Sequence, residues 1–329
     1  MEAGSRLLEI PDGIPYDPFR ESLYTRDELI GGGAPGLDAR IERHVLDHGF
    51  RAPPAPEALA QRLHDYAIDV ALSEFLCTEG EARRVVGIMG SAVTRRDDRW
   101  FRAAAELGRL AARAGYLVAS GGGPGIMEAA NLGAFLAPHD DRALDDAIAD
   151  LAQAPSYESG QRDAYAEAAA AVRERYLPGG ESLAIPTWFY RGEPVGQFAS
   201  HIAKYFANSI REDGLVTIAV SGIVFAPGRA GTTQELFQDA AQNAYGIRGR
   251  SPMVLLGRDA YGAEPSLFAV LRDQARRFGG FEHLVALADD PVEALDFIRA
   301  NEPAEAASAL GGSARDVLEF MKNERVRAR

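Results

Sequence analysis

Two rhythms of apolar residues alternate along most of this chain. The short unbroken runs VVGIM, YLVAS, SLAIP, LVTIAVSGIVFA, PMVLLG and LVALA have the length and bounds of buried strands. Between them lie longer stretches, among them DRWFRAAAELGRLAARAG, PGIMEAANLGAFLA, FASHIAKYFANSI, TQELFQDAAQNAY, PSLFAVLRDQARRF and PVEALDFIRA, whose apolar residues recur at helical spacing. Strands joined in this way by helices predict βαβ units and an α/β fold, a doubly wound parallel sheet. Right-handed crossovers then bring the loops that follow the strands to one edge of the sheet.

Residues 1–80 follow a different pattern and predict a helical N-terminal extension, broken at GGGAPG and RAPPAPEA. Its longest piece, EALAQRLHDYAIDVALSEFL, spaces Leu, Ala, Ile and Val three and four apart, as an amphipathic helix does. It carries no recognisable chemistry, so packing, dimer formation or lid building is its expected task. The main domain is expected over residues 81–300, with a helical insertion at 138–180, two helices joined by PSYESG. Residues 301–329, Ala-rich and then basic at KNERVRAR, predict a helical tail with a frayed end.

Composition narrows the function classes. Of 329 residues, 47% are hydrophobic and 25% charged, which is ordinary for a globular protein. A net charge of −13 argues against a nucleic-acid binder, which carries a basic face. Cys77 is the only cysteine, which excludes an internal disulfide and a multi-cysteine metal site; a buried thiol is expected. The six histidines lack ligand spacing, with His44 and His48 four apart but outside any metal-binding context, so no metal site and no cofactor are expected. The start MEAGSRLLEIPDG has no signal-peptide pattern, and no run nears the roughly 18 apolar residues of a membrane span. A soluble, cytoplasmic protein without a membrane partner is the expectation.

The candidate chemistry sits in three loops after three predicted strands: Gly90 and Ser91, Gly121 to Gly123, and Pro227 to Thr233. On a parallel sheet all three reach the carboxyl edge, where ligands of open α/β sheets bind. Glycine lets backbone approach a ligand closely, and a helix start offers unpaired N–H groups and a partial positive charge, a combination that suits phosphate. Thr232 and Thr233 can cap the helix or bind phosphate oxygen. GGGPG lacks the Gly-Lys-Ser/Thr ending of a Walker loop and does not fit G-x-G-x-x-G, which favours a mononucleotide over ATP hydrolysis or a dinucleotide. Glu235, three residues after Thr232, either closes a capping box or, from the first helical turn, orients or deprotonates a water or stabilises an oxocarbenium ion. Arg211, expected to end the preceding helix, either caps it or holds a phosphate or ribose. Pro186, Trp188, Phe189 and Tyr190 are either core or the wall of a base pocket.

The stretches GGGPGIM, Gly121 to Met127, and PGRAGTTQE, Pro227 to Glu235, resemble the two signature loops of the LOG ("lonely guy") phosphoribohydrolases, once labelled possible lysine decarboxylases. The resemblance covers residues 84–300 and points to a longer bacterial-type member. It implies a Rossmann-like fold, a homodimer or higher homo-oligomer, and hydrolysis of the N-glycosidic bond of AMP-like or cytokinin nucleotides to free base and ribose 5-phosphate. It further implies Glu235 and Arg211 as catalytic residues, and Gly90, Ser91, Gly121, Gly122, Gly123, Met127, Gly228, Arg229, Gly231, Thr232 and Thr233 as substrate-binding ones. The sequence departs from the family pattern twice. Glu212 replaces the lysine of an Arg-Lys pair, and Arg229 replaces a loop glycine, where a required positive φ would strain it by about 1 kcal/mol or more. With only Lys204 and Lys322 as lysines, neither in a suitable setting, decarboxylation on pyridoxal phosphate is rejected. A non-catalytic nucleotide or cofactor carrier on the same fold is the alternative, and a regulatory partner protein acting through its N-terminal arm is a third reading.

Overall fold

Six of the apolar runs and one further short strand assemble into one parallel sheet. In a computed structural model, residues 10–48, 52–78, 81–157, 161–190, 192–246 and 249–303 are described. Three helices come first, α1 (Arg26–Ile30), α2 (Leu37–Asp47) and α3 (Ala55–Leu76), then a small antiparallel pair, β1 (Cys77–Thr78) and β2 (Glu81–Ala82). The main unit follows as β3 (Val85–Met89), α4 (Arg99–Arg113), β4 (Leu117–Ser120), α5 (Ile126–Phe135), α6 (Asp141–Leu151), α7 (Arg162–Arg175), β5 (Ser182–Ala184) and β6 (His201–Ile202). It continues with α8 (Asn208–Ile218), β7 (Gly222–Phe225), α9 (Ala230–Tyr245), β8 (Met253–Leu256), α10 (Arg258–Tyr261), α11 (Leu267–Phe278), β9 (Val285–Ala288) and α12 (Pro291–Asn301). The strand order β6-β5-β4-β3-β7-β8-β9 is that of a doubly wound α/β, Rossmann-like fold.

Strand periodicity divides the core between the two faces. Val86, Ile88, Val118, Val224 and Val254 turn toward α4, α5 and α12, while Leu117, Leu183, Ile223, Phe225 and Leu255 turn toward α8, α9 and α11. The second face is shared with the N-terminal helices, since Tyr24, Leu29, Ile41 and Ile68 belong to the same buried cluster as Leu215 and Phe225. Tyr24 also exchanges two backbone hydrogen bonds with Ile202, of 2.9 and 2.8 Å, beside the edge strand β6.

The N-terminal helices meet the sheet mainly through the segment 186–207. Asp38 accepts from Lys204 Nζ at 2.7 Å and Trp188 Nε1 at 2.8 Å, and Glu42 accepts from the Gly192 N–H at 2.6 Å. Asp65, fully buried, accepts from the N–H groups of Phe206 and Ala207 at 2.8 and 2.9 Å, just ahead of α8. Asp69 accepts from the Tyr205 hydroxyl at 2.9 Å.

Three expectations are corrected. The stretch FASHIAKYFANSI is not one helix but the short strand β6, a loop and the start of α8. The run LVTIAVSGIVFA is not one strand: Leu215 to Ile218 complete α8, and only Gly222–Phe225 pairs with β3 and β8. Its buried residues Leu215, Val216, Ile218 and Ala219 follow the helical spacing that a continuous apolar run conceals. Cys77 is exposed rather than buried, because α3 ends there and the following pair of strands lies outside the main sheet. Beyond α12 the predicted tail lies outside the described residues, apart from 301–303.

Candidate functional site

β7, β3, β4 and β5 are consecutive neighbours in the sheet and run parallel, so the three predicted loops emerge side by side. They also touch. The Ser91 N–H donates to Pro227 O at 3.3 Å, and Ser91 O accepts from the Ile126 N–H at 3.1 Å. Gly125, at φ +68°, presses so closely on this joint that a Cβ there would stand 2.4 Å from Ser91 O. Ser91 is therefore first a tie between loops; its hydroxyl accepts from the Val93 N–H at 3.2 Å. Gly90 serves packing, since a Cβ would meet the Ile126 side chain at 2.7 Å.

The phosphate-type loop leads into α9, whose N-cap is Arg229 with no side-chain cap. Arg229 has φ −113° and ψ −158°, an extended conformation open to any residue, so the arginine is unstrained and the expected penalty does not arise. Residues 228–231 are exposed, and the N–H groups of Ala230, Gly231 and Thr232 begin the helix without intrahelical acceptors. Because the helix starts this early, Thr232 is inside it and cannot form the capping box with Glu235. Its buried side chain instead packs on Gly228, where a Cβ would stand 2.1 Å from Thr232 Oγ1. Thr233 donates its hydroxyl to Arg229 O at 3.3 Å. Glu235 lies in the second turn of α9, not the first.

Arg211 is placed by the first turn of α8, not by the end of a helix, and its guanidinium is buried behind the glycine loop. Nε donates to Ile185 O at 2.7 Å and Nη2 to Gly121 O at 3.0 Å, which ties the ends of β5 and β4 together. Gly121 makes room for it: a Cβ would stand 2.2 Å from Nη2. The remaining nitrogen, Nη1, is 3.8 Å from Glu235 Oε1, whose side chain is 13% exposed. Burial pushes the Glu235 carboxyl up to about 7, against the opposing pull of Arg211 and with a further upward push from Glu212.

Met127 lies across the glycine loop, its Sδ 2.6 Å from a Cβ position on Gly121 and its Cε 2.8 Å from one on Gly123. Gly122 adopts φ +74° and donates its N–H to Ser120 Oγ at 3.1 Å. Beside Gly123 stands Glu193, a residue that sequence reasoning missed, with Oε1 3.5 Å from that same Cβ position. Burial raises its carboxyl, while Arg211 and Lys204 lower it. The available signal was its place in RGEP, after a strand ending on the same edge. Of the aromatic candidates, Trp188 belongs to the core, whereas Phe189 and Tyr190 are 41% and 43% exposed. The Tyr190 hydroxyl donates to Glu212 at 3.4 Å and accepts from Asn208 Nδ2 at 3.3 Å.

Also unforeseen is the fully buried Arg96, which grips Glu128 through Nε and Nη2 at 2.8 and 2.5 Å and the carbonyls of Ala154 and Tyr165 at 3.2 and 3.0 Å through Nη1. It ties the turn after α6 and the first turn of α7 to the start of α5. Among the described residues no group of acidic, histidine or cysteine side chains is arranged to hold a metal, and no helix is long and apolar enough to cross a membrane.

Residues 83–137, from β3 through the glycine loop and α5, match the model of the SLOG cluster4 family. The SLOG superfamily includes LOG, so the match supports a LOG-type protein, as the two loops had suggested. Comparison with curated proteins finds no significant match. Among solved structures, the chain is similar to the molybdenum cofactor binding protein of the phototrophic bacterium Rippkaea orientalis, with 17% identity, 66% of this chain and 96% of that one covered, and a TM-score of 0.42. It is also similar to the molybdenum cofactor carrier protein of Chlamydomonas reinhardtii, with 17% identity, 67% and 99% coverage, and a TM-score of 0.38.

Proposed function

With a LOG-type segment at residues 83–137 as premise, we propose that this chain is a nucleoside 5′-monophosphate phosphoribohydrolase. The observation that carries the reading is Glu235: a mostly buried carboxyl pushed up to about 7, beside one nitrogen of Arg211, on the helix whose unpaired first amides open to solvent. The 5′-phosphate binds at the amides of Ala230, Gly231 and Thr232, where the helix dipole and Arg229 favour an anion. Water then adds to C1′ as the bond to the base nitrogen breaks. The water's hydroxyl stays on the ribose, and the departing base takes up a proton.

A carboxyl near pH 7 suits proton transfer at neutral pH, and its ionised form stabilises positive charge on the ribose ring. Arg211 acts chiefly as a positioning residue, because two of its nitrogens already serve backbone carbonyls. That commitment also supports the alternative, a nucleotide or cofactor carrier, in which the cleft binds and does not turn over. Release of ribose 5-phosphate from AMP by the wild type, and its loss in Glu235→Gln with nucleotide binding retained, tests the enzyme reading; binding without release supports the carrier. Self-association and a cytoplasmic setting belong to the same reading. The exposed Phe237 and Tyr245 of α9 and Phe278 of α11 support an apolar contact between copies, which light scattering on the eluting protein tests.

A further inference from the structure

Resting on the phosphoribohydrolase reading, we propose that Glu193 is the specificity-determining residue for the base and selects a guanine-type edge, in which a ring N–H and an amino N–H stand side by side. Three observations lead there. The first is placement along the sheet edge: the amides of α9 follow β7, whereas Arg211 bridges the ends of β4 and β5 with Glu235 3.8 Å away, and Glu193 stands at Gly123 in the loop after β4. Three strand spacings separate β7 from β5, about 14 Å in all. That is the reach of a nucleoside monophosphate from its phosphate to the far edge of its base. A ligand whose phosphate is on the α9 amides and whose sugar reaches Glu235 and Arg211 therefore has its base at the ends of β4 and β5, where Glu193 stands.

The second observation is charge. Glu193, Glu212 and Glu235 all act electrostatically on this region, against the buried cations of Arg211 and Lys204. That end of the cleft repels a phosphate and favours a group rich in N–H donors. The third is hydrogen bonding. Among the described residues nothing donates to Glu193, although the residue before it is fixed by its N–H bond to Glu42 and Lys204 nearby is held by Asp38. Glu193 is only partly exposed, and a ligand with donors can take the place of water at its carboxylate. An ionised carboxylate accepts and does not donate. Guanine offers it two adjacent donors, hypoxanthine one, and adenine one donor beside an acceptor that faces it unfavourably.

The test measures kcat/KM for GMP, IMP and AMP with the full-length wild type, Glu193→Gln and Glu193→Asp. GMP is expected to exceed IMP by about 10- to 100-fold, the discrimination of one bidentate pair. Both substitutions are expected to lower the GMP value by about that factor while IMP and AMP change only a few-fold. Equal use of GMP and IMP by the wild type, a preference for AMP, or equal losses on all three substrates in both variants overturns the proposal. If the wild type hydrolyses none of them, the enzyme reading fails, and calorimetric binding of GMP against IMP to the same three proteins decides the role of Glu193. Selectivity lost in the variants upholds it, and its absence in the wild type overturns it.

Discussion

Asp38, Glu42, Asp65 and Asp69 on the N-terminal helices each accept a hydrogen bond from the segment 186–207, whereas Glu193, within that segment, and Glu235, on α9, accept none from the described residues. Both regions are rich in carboxylates, and both are largely screened from water. At the N-terminal junction the carboxylates are matched to donors and hold backbone in place. At the carboxyl edge of the sheet they stand around Arg211 and the glycine loop, with burial raising them and Arg211 among the opposing charges. A paired carboxylate organises the fold, while an unpaired one is available for a ligand. The first region serves the second, because Asp65 fixes the amides immediately ahead of α8, whose first turn carries Arg211.

Breaking the cleft side of this contrast has the largest expected effect. Glu235→Gln keeps the shape and removes the titrating group, so ribose 5-phosphate release is expected to fall by about 10²- to 10⁴-fold, the usual range for losing a general acid or base. Nucleotide affinity by calorimetry is expected to stay within a few-fold. Breaking the junction side acts on stability instead. Asp65→Ala leaves two N–H groups and the buried His64 ring nitrogen without their acceptor, an expected loss of about 3 to 5 kcal/mol in chemical denaturation.

The contrast sharpens with pH. The Glu235 carboxyl is raised in the folded protein from 4.5 to about 7 by burial, so the folded state holds the proton more tightly than the unfolded one. Its effect on stability is most favourable below pH 4.5, is lost as pH rises from 4.5 through about 7, and is flat above. At about 1.4 kcal/mol per unit, the wild type is expected to lose up to about 3 kcal/mol relative to Glu235→Gln across that window. Parallel denaturation curves from pH 4 to 8 measure it, and a constant difference between the two proteins contradicts it. The smallest effect is expected at Arg229. Because its backbone is extended and its side chain exposed, Arg229→Gly is expected to change stability by about 0.5 kcal/mol or less and to weaken phosphate binding by less than about tenfold, the reach of one exposed charge.

Much of the frame was legible in the order of residues. VVGIM, YLVAS and PMVLLG are strands, the helices around them keep their period, and the glycine loops meet on one edge because parallel strands leave no other arrangement. What misled was the run from Leu215 to Ala226, where a buried helix end and a buried strand are both apolar throughout and only the turn at Ala219 to Gly222 divides them. Thr232 was misplaced for a related reason: T-x-x-E satisfies a capping box on paper, but the helix begins at Ala230.

The sequence by itself determined the alternation of elements, the sheet class and the identity of the loops, since these follow from backbone sterics and from periodicity within a few residues. Tertiary structure alone decided that Arg211 ties two strand ends, that Glu193 stands at Gly123, that Arg96 is buried on Glu128, and that the N-terminal helices hold the wall of the cleft. Each of those pairings joins residues tens to more than a hundred positions apart. Their distance in space depends on strand order and on which face each helix covers, and no local pattern encodes either.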